Sequence, residues 1–382
     1  MAKTLIFGGA FDPPHKEHVR ICKAALSELG ADRLVIVPTY QPPHKSAGYL
    51  SFEERCSLIR KAFCGMDIVI DDIERKRGAD NCAYKVLPLL KEKYGDIVYL
   101  IGGDSAAHFD TWKKPEEVAK VCPIAVAARG GYENVQEDID RLTGRFGGEF
   151  ILLSCVGEDI SSSALKTRLL LGEDVESLPC AVLDEIREKH LFEEYKPWIE
   201  RLKGYQTEEL FEHSKAVVKR AIEFNSKHNL KQDFSKVFTA ALLHDNAKQR
   251  PSLDGLDVPS DAVGTPVLHQ FLGAEKARRD FGIADSVILE AIRCHTTAKA
   301  AMTTFEKLIY TADSLSDDRD YEPIPKLRGI AIADFEEGFL ATLKYTYEKL
   351  LAKGGAIYPL TVAAYEYYIG SGNADNRNNT AS

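Results

Sequence analysis

The chain has 382 residues, of which 45% are hydrophobic and 28% charged, and its formal net charge is −9. This length exceeds what one hydrophobic core usually supports, so two domains are expected. The acidic balance argues against nucleic acid as a bulk partner, because a phosphate backbone needs a basic surface. The chain shows no signal pattern, no apolar run of the roughly 20 residues that span a membrane, and no CxxC pair among its eight cysteines. A cytoplasmic protein with mainly buried, reduced thiols and no membrane partner is therefore expected.

Up to about residue 195, short apolar runs alternate with helical patterns. The runs rich in Ile, Val and Leu predict six strands, which are TLIFGG, RLVIVPT, DIVID, DIVYLIGG, PIAVAAR and EFILLS. Stretches such as HVRICKAALSEL and YKVLPLLKEKY predict the helices between them. This alternation predicts a doubly wound, Rossmann-like α/β domain over residues 1–195 with a parallel sheet. Such sheets bind ligands beyond the C-terminal ends of their strands.

After about residue 205, nearly every segment has a helical period. EELFEHSKAVVKRAIEFNSKH, FSKVFTAALLHD, ADSVILEAIRCH and TTFEKLIYTADSL are the strongest examples. They predict an all-α bundle over residues 205–370, preceded by a linker at 196–204. The last residues, 371–382, are polar and predict a disordered tail.

The segment GGAFDPPHKEH, residues 8–18, begins where the first predicted strand ends and runs into the first predicted helix. A helix N-terminus offers unpaired amides and partial positive charge to an anion. Gly8 and Gly9 allow a ligand to approach the backbone, and His15 and His18, three residues apart, face the same way. We therefore predict a phosphate-binding loop, with a Gly-Pro turn carrying two incidental histidines as the alternative.

A second predicted helix start has similar chemistry. Ser161, Ser162 and Ser163 precede Lys166 and Arg168 in the segment DISSSALKTRL. Hydroxyls, amides and cations at one helix N-terminus suit a triphosphate.

These segments resemble a known family. GGAFDPPHKEH is similar to the GGxFDPxHxGH signature of nucleotidylyltransferases, and more particularly of bacterial nicotinate-nucleotide adenylyltransferases. Further family-like segments follow in order, namely VPTYQPPHK, FEERCSLI, DIERKRGADNCAY, IGGDSAAHFDTWKK, ARGGY and DISSSALKTRL. The resemblance covers residues 1–195 and implies transfer of AMP from ATP to nicotinate mononucleotide, giving nicotinate adenine dinucleotide and pyrophosphate. Such a transfer needs no protein nucleophile, because the acceptor phosphate attacks the α-phosphorus in line and the protein positions both substrates.

The resemblance also implies roles for individual residues. His15 and His18 would hold the ATP phosphates, with Mg²⁺ on the leaving pyrophosphate. Lys166 occupies the position of a family arginine, and Arg168 would share its role. The remaining ATP-binding residues would be Gly8, Gly9, Ser161, Ser162 and Ser163. The substrate-binding residues would be Lys45 as a cation, Asp104 on nucleotide hydroxyls, Trp112 stacked on the pyridine ring, Tyr84 and Arg129.

The chain departs from the family pattern at three places. Glu17 stands where the family has glycine and puts a negative charge beside the phosphate site. Tyr84-Lys85 and Leu87-Pro88 replace a Tyr-Thr and an Asp-Thr pair near the pyridine pocket. Lys85 could pair with a nicotinate carboxylate or be a solvated surface lysine. A transferase for another phosphorylated acceptor therefore remains the alternative.

In the helical half, histidine and aspartate recur on five predicted helices. The residues are His213, His244, Asp245, His269, His295 and Asp313. A carboxylate directly after a histidine, at the end of an apolar helix, is costly to bury unless a positive charge lies nearby. Histidines satisfied within the core are the alternative, but a metal centre with mixed nitrogen and oxygen ligands accounts for the recurrence.

The order H…HD…D resembles the HD-domain phosphohydrolases, and over residues 205–335 the YqeK family of symmetrical diadenosine tetraphosphate hydrolases. The resemblance implies two transition metals, iron or alternatively manganese, at one centre. One metal would be held by His213, His244, Asp245 and Asp313, and the second by His269 and His295 with Asp245 bridging. Two such metals can activate water and clamp the phosphoryl oxygens. Lys248 and Arg319 would neutralise polyphosphate charge.

This half also departs from its family. The family's HTTG is HTTA at residues 295–298, and its Ile-Glu-Pro is Leu315-Ser316-Asp317. An HD domain acting on other nucleotides, such as guanosine tetraphosphate alarmones, and a non-catalytic sensor therefore remain alternatives. The expected partners are ATP, nicotinate mononucleotide and a dinucleoside polyphosphate. The sequence leaves the oligomeric state, including a homo-oligomer, open.

Overall fold

The computed structural model describes residues 2–40, 50–78, 80–130, 134–158, 160–249, 252–253 and 255–370, apart from the side chain at position 129. The chain forms two compact units that meet in sequence between Glu193 and Glu194, and the short segment Leu170–Gly172 groups with the second unit. None of the helices in these ranges is long and apolar enough to cross a membrane.

The first unit contains a six-stranded parallel sheet with the order β3-β2-β1-β4-β5-β6. Its strands are β1 Thr4–Gly9, β2 Arg33–Pro38, β3 Ile68–Ile70, β4 Ile97–Gly102, β5 Ile124–Arg129 and β6 Phe150–Gly157. All six coincide with the predicted apolar runs. The predicted Rossmann-like class is therefore confirmed.

Helices surround this sheet. They are α1 Lys16–Leu29, α2 Phe52–Ala62, α3 Ile73–Arg77, α4 Ala83–Tyr94, α5 Gly103–Ala107, α6 Pro115–Val121, α7 Val135–Phe146, α8 Ser162–Leu170 and α9 Cys180–Glu188. A core cluster joins Ile6 and Val126 of the sheet to Leu87 of α4, Val118 of α6 and Leu142 of α7. Burial of these β-branched and leucine side chains is the main contribution to holding the layers together.

The register of β1 opens a crevice at its C-terminal end. β1 pairs with β2 as far as Gly9 opposite Pro38, but it pairs with β4 only as far as Phe7 opposite Leu100. The strand order also reverses here, since β2 and β4 lie on opposite sides of β1. The segment after Gly9 therefore lies at the topological switch point, where open α/β sheets bind ligands.

The second unit is all-helical in its described residues, as predicted. Its helices are α10 Lys196–Lys203, α11 Glu208–Lys227, α12 Phe234–Leu243, α13 Leu268–Phe281, α14 Ser286–Cys294, α15 Thr304–Ser314, α16 Ile324–Ala333, α17 Phe335–Ala352 and α18 Pro359–Tyr368. The stretch expected as a linker, 196–204, is α10, because Ile199 and Leu202 bury an apolar face. The tail expected at 371–382 lies outside the described residues.

Four of the helices that carry the histidines and aspartates begin on side-chain caps. Thr207, Asp233, Asp285 and Thr303 accept hydrogen bonds from backbone amides at the start of α11, α12, α14 and α15, respectively. Such caps satisfy amides that the helix itself leaves unpaired and typically contribute about 1 kcal/mol each. They fix where each helix starts and hence which residues face the bundle centre.

Candidate functional site

Both glycines at the end of β1 are in close contact with aromatic rings. A Cβ on Gly8 would lie 3.2 Å from Oη of Tyr99 on β4, and a Cβ on Gly9 would lie 3.3 Å from the ring of Phe11. The glycines therefore make room for these neighbouring rings at the mouth of the crevice.

The two histidines of the loop stand together at the start of α1. Their rings stack with centroids 3.6 Å apart, and the backbone amide of His15 donates to Nδ1 of His18 at 3.2 Å. The ring of His18 also contacts Phe7 and Phe11, with centroids 5.7 and 5.1 Å away. The structure thus brings the predicted pair together at the crevice, on an apolar base.

The two predicted phosphate-binding helix starts are joined. Nζ of Lys166 on α8 donates to Oδ2 of Asp12 at 2.9 Å, and the hydroxyl of Ser162 donates to the carbonyl of Pro13 at 3.1 Å. Burial raises the pKa of Asp12, and the charge of Lys166 opposes that shift. The loop before α1 and the N-terminus of α8 therefore form one surface, so both sets of amides can serve a single polyphosphate.

Two charged residues near this surface have protein partners. Arg168 donates from Nε to Glu173 at 3.3 Å and from its terminal nitrogen to the carbonyl of Asp174 at 2.6 Å. The carboxylate of Glu17 accepts from Nε of Arg20 at 2.5 Å. The negative charge that Glu17 brings to the loop is therefore compensated within α1.

A cavity of about 260 Å³ lies at the β1–β4 crevice and is lined by Cys82, Ala83, Tyr99, Trp112 and Lys113. Its aromatic walls stand at 66° to each other, with centroids 6.5 Å apart. Such a cavity suits a flat heteroaromatic ring. The structure thus places Trp112, predicted to stack on a pyridine, in an aromatic pocket.

The structure describes the side chains of three of the other residues considered for substrate binding. Asp104 is exposed at the start of α5 and accepts from the amide of Ser105 at 2.9 Å. Tyr84 is half-buried on α4. Lys85 pairs with Asp80, so its charge is already engaged. Lys45 and the side chain of Arg129 lie outside the described residues.

Arg55 is a residue of the crevice that was not predicted from the sequence. Arg55 of α2 is 1% exposed and donates to the carbonyls of Ala10 and Thr39 at 2.7 Å and of Leu50 at 3.2 Å. It therefore ties the loops after β1 and β2 together. Its position inside FEERCSLI is compatible with an ordinary surface arginine, and only the fold shows what it binds.

In the second unit, all six predicted metal-site residues converge. Nε2 of His213 lies 3.1 Å from Oδ1 of Asp313 and 3.8 Å from Oδ2 of Asp245. Nε2 of His244 lies 3.3 Å from Asp245 and 3.8 Å from Asp313. Two ligand-like groups result, His213–His244–Asp313 and His244–Asp245–His295, each with its ligand atoms within 4.8 Å of one another.

Asp245 connects these groups to the remaining histidines. Its Oδ1 lies 3.3 Å from Nε2 of both His269 and His295, while its Oδ2 faces His244. One carboxylate thus presents its two oxygens to opposite sides of the cluster.

Three of the four imidazoles share one mode of support, in which Nδ1 contacts the backbone carbonyl three residues earlier. The pairs are His244 with Ala241 at 2.7 Å, His269 with Pro266 at 2.7 Å and His295 with Ile292 at 2.8 Å. Because a carbonyl only accepts, Nδ1 carries the proton and Nε2 keeps its lone pair toward the cluster. This support is typical of metal-binding histidines.

Two buried atoms test whether the cluster fits a metal. Nε2 of His244 and Oδ1 of Asp245 have no hydrogen-bond partner among the residues that the structure describes. One is an imidazole nitrogen and the other a carboxylate oxygen, and transition metals bind both kinds of atom. Burying such polar atoms without a partner costs folding free energy. The residues present therefore fit a divalent metal centre.

The ionisation of three residues in the cluster, His269, Asp245 and Asp313, is consistent with cation binding. Burial lowers the pKa of His269, and the neighbouring His295 adds to this effect, to give a value of about 4. Burial opposes ionisation of Asp245 and Asp313, but nearby cationic and imidazole groups hold the pKa of each well below its usual range. Neutral imidazoles and ionised carboxylates are the forms that bind metals.

Two cations balance these carboxylates. Nζ of Lys248 lies 2.6 Å from Oδ2 of Asp245, and a terminal nitrogen of Arg319 lies 2.6 Å from Oδ1 of Asp313. Burial lowers the pKa of His213, but hydrogen bonds to Asp313 and Asp318 outweigh it and raise the pKa to about 9. In this structure the charges of Lys248 and Arg319 are therefore directed to the aspartates of the cluster, and their predicted role in neutralising polyphosphate charge stays a prediction.

A parallel sheet with two joined helix starts at its crevice, followed by a helical His/Asp cluster, defines a nucleotidylyltransferase fold fused to an HD domain. The family models agree. The "Cytidylyltransferase-like" model matches residues 6–168, and the "HD domain" model matches residues 210–318.

Two named relatives and one solved structure are similar to this chain. A Mycoplasma genitalium protein named "Probable nicotinate-nucleotide adenylyltransferase/Ap4A hydrolase" is 27% identical over 90% of this chain and 97% of its own length. An Aliarcobacter butzleri protein named "Probable nicotinate-nucleotide adenylyltransferase" is 34% identical over 48% of this chain and 94% of its own length. A solved structure from Clostridium acetobutylicum, described as a "predicted HD superfamily hydrolase involved in NAD metabolism", is 28% identical, with a TM-score of 0.43, over 46% of this chain and 96% of its own. Through its N-terminal half, the chain belongs to the nicotinate-nucleotide adenylyltransferase family.

Proposed function

We propose that the chain is a bifunctional enzyme whose first unit transfers AMP from ATP to nicotinate mononucleotide. The products are nicotinate adenine dinucleotide and pyrophosphate. The observations that carry this proposal are the junction of the two helix starts by the Lys166–Asp12 contact of 2.9 Å and the aromatic cavity of about 260 Å³, whose Tyr99 lies against Gly8 at the end of β1. A polyphosphate and a flat ring then have adjacent sites at one crevice.

Each residue in this site has a physical task. The imidazoles of His15 and His18 and the amides at the start of α1 and α8 donate to the ATP phosphates, whose negative charge Mg²⁺ would share. Trp112 packs on the pyridine, and Asp104 accepts from nucleotide hydroxyls. Because no protein nucleophile is needed, these groups act by holding the acceptor phosphate and the α-phosphorus in line.

The test is pyrophosphate release from ATP and Mg²⁺ with nicotinate mononucleotide, nicotinamide mononucleotide or another phosphorylated acceptor, with products identified by mass spectrometry. We expect nicotinate adenine dinucleotide as the main product and a loss of at least 100-fold in kcat for His18→Ala, the order that general acid–base or phosphate-binding groups supply. Absence of pyrophosphate release with both pyridine mononucleotides contradicts the proposal, and turnover with another acceptor alone supports the alternative transferase.

For the second unit we propose symmetrical hydrolysis of diadenosine tetraphosphate to ADP at a dinuclear iron centre. The observation that carries it is the convergence of five residues in two overlapping groups of ligand atoms, with Nε2 of His269 3.3 Å from Oδ1 of Asp245. One metal would be held by His213, His244, Asp245 and Asp313, and the other by His269 and His295 with Asp245 shared. Two such cations activate water and stabilise phosphoryl charge.

The test combines metal quantification of the purified chain with product analysis on diadenosine tetraphosphate. ADP as the sole nucleotide product and close to two equivalents of iron support the proposal. AMP with ATP as products indicates asymmetric cleavage, and release of pyrophosphate from guanosine tetraphosphate favours an alarmone hydrolase. Bound metal without cleavage of any nucleotide contradicts the enzymatic proposal and favours a sensor.

A further inference from the structure

One histidine of the metal cluster is supported differently from the other three. His244 and His295 lie at the ends of α12 and α14, where backbone carbonyls have no partner inside the helix. His269 uses the carbonyl of Pro266 in the turn before α13. His213 instead lies within α11, Glu208–Lys227, where the carbonyls bond along the helix. Its Nδ1 therefore needs an acceptor from another element.

Asp318 supplies that acceptor. Its Oδ2 lies 2.8 Å from Nδ1 of His213, while Nε2 of the same ring faces Asp313 at 3.1 Å. A carboxylate only accepts here, so Nδ1 keeps its proton whenever Nε2 gives its lone pair to a cation. The carboxylate also fixes the plane of the ring.

The turn that carries Asp318 is itself fixed. Arg328 of α16 donates to the carbonyls of Leu315 at 2.9 Å, Ser316 at 2.7 Å and Arg319 at 2.8 Å. Three bonds from one guanidinium hold the backbone on both sides of Asp318. The aspartate is therefore placed by the turn and does not reach the histidine by chance.

The neighbouring aspartate shows that the contact is specific. Asp317 pairs with Arg220 and lies 3.6 Å from Nε of Arg328. Its side chain is 61% exposed, whereas that of Asp318 is 36% exposed. Two adjacent carboxylates thus have different partners, and the metal-site histidine is paired with Asp318.

We infer that Asp318 is a positioning residue of the metal centre, which holds His213 in the tautomer and orientation that bind one of the two metals. The inference rests on the proposed function only in that the centre binds two cations. It applies to the His213 side of the cluster. His269 and His295 have their own backbone acceptors, so their metal is independent of Asp318.

The experiment is a Co²⁺ titration of the metal-stripped, full-length chain, followed by visible absorption and calorimetry. Wild type is expected to bind two equivalents. Asp318→Ala is expected to weaken one of them by about 10–100-fold and leave the other unchanged, the range measured when a carboxylate partner of a ligating histidine is removed. Asp318→Asn keeps the shape and an acceptor oxygen but loses the charge, so a smaller loss is expected.

Asp317→Asn is the matched control and should keep both affinities. His269→Ala should weaken the other equivalent and so assign the two binding steps. Thermal unfolding of the metal-stripped variants checks that they fold, and Asp318→Asn provides the measurement if Asp318→Ala does not. Unchanged affinities for both equivalents in Asp318→Ala overturn the inference. A wild-type chain that binds no Co²⁺ contradicts the proposed metal centre itself.

Discussion

Lys166 and Asp12 form an ion pair with both side chains only 2% exposed and with 2.9 Å between Nζ and Oδ2. The two residues belong to the loops that we propose for phosphate binding, at the starts of α8 and α1. Removing one partner of such a pair leaves an uncompensated charge in the interior, which costs more than removing both. The pair therefore holds the two halves of the phosphate site in register.

We predict that Lys166→Met lowers the free energy of unfolding of the first unit by about 3–5 kcal/mol at neutral pH, because the Asp12 carboxylate remains buried without the cation that pairs with it. The double variant Lys166→Met/Asp12→Asn should recover part of this loss. Urea denaturation followed by tryptophan fluorescence measures both, with Lys23→Met at an exposed site as the control. Equal losses in the single and double variants contradict the prediction.

The loss of stability in Lys166→Met should depend on pH in a defined direction. Burial already raises the pKa of Asp12 above its ordinary value of 3.8, and loss of Lys166 removes the main opposing interaction. A raised pKa in the folded state means that the folded protein holds the proton more tightly than the unfolded chain. The loss in free energy of unfolding of Lys166→Met, relative to wild type, should therefore be largest at pH 7 and become smaller as the pH falls toward 4. A deficit independent of pH between 4 and 7 shows that Asp12 does not cause it.

Arg55 should be as important to the crevice as the residues that contact substrate. Arg55→Met leaves the carbonyls of Ala10, Thr39 and Leu50 without their donor, so we expect a loss of about 3 kcal/mol of stability. We also expect a higher KM for ATP, since the loop after β1 loses its anchor. Denaturation and initial-rate kinetics measure these effects. Arg60→Met, on the exposed face of the same helix, should change neither.

Sequence periodicity was sufficient to predict the strands and most of the long helices, because apolar runs and amphipathic faces are local properties of the sequence. The order of the motifs was sufficient to predict that His213 and Asp313 lie together, although they are 100 residues apart in the sequence. It could not show the pair of Asp12 and Lys166, which are 154 residues apart. Neither residue type indicates its partner, and Lys166 was assigned to a phosphate by its position in a motif. Long-range pairs of this kind become visible only in the folded chain.

Because local sequence does not show which surfaces pack together, two further predictions differ from the structure. The eight cysteines were expected to be mainly buried, yet Cys64 and Cys180 are exposed and four are buried. The predicted linker at 196–204 is a helix, because its Pro197 lies at the first turn and Ile199 and Leu202 find a core to pack on. Composition alone does not show whether a short amphipathic stretch has such a partner surface.

Glu17 provides a test of charge at the phosphate loop. Because Arg20 compensates Glu17 at 2.5 Å, we expect Glu17→Gln to change the KM for ATP by less than about threefold. Arg20→Gln leaves the carboxylate uncompensated near the phosphates and should raise this KM by about fivefold, more at low salt than at high salt. The double variant Glu17→Gln/Arg20→Gln should return close to wild type. A double variant as impaired as Arg20→Gln contradicts a charge effect and indicates that the contact of Arg20 with the carbonyl of Val156 is responsible.

Substitution of Asp245 tests whether its carboxylate is a ligand shared by two metals or a ligand of one metal only. Its two oxygens face His244 on one side and His269 and His295 on the other, so Asp245→Asn should weaken both metal equivalents, whereas His269→Ala should weaken one. Metal bound only by the folded state stabilises it, so chelation should lower the Tm of wild type by several degrees and that of Asp245→Asn by less than one degree. Metal analysis and thermal unfolding with and without EDTA measure these effects, and Asp317→Asn is the control because it lies outside the ligand cluster. If Asp245→Asn loses a single equivalent, Asp245 serves one metal only, and the two cations must be held by separate ligand sets.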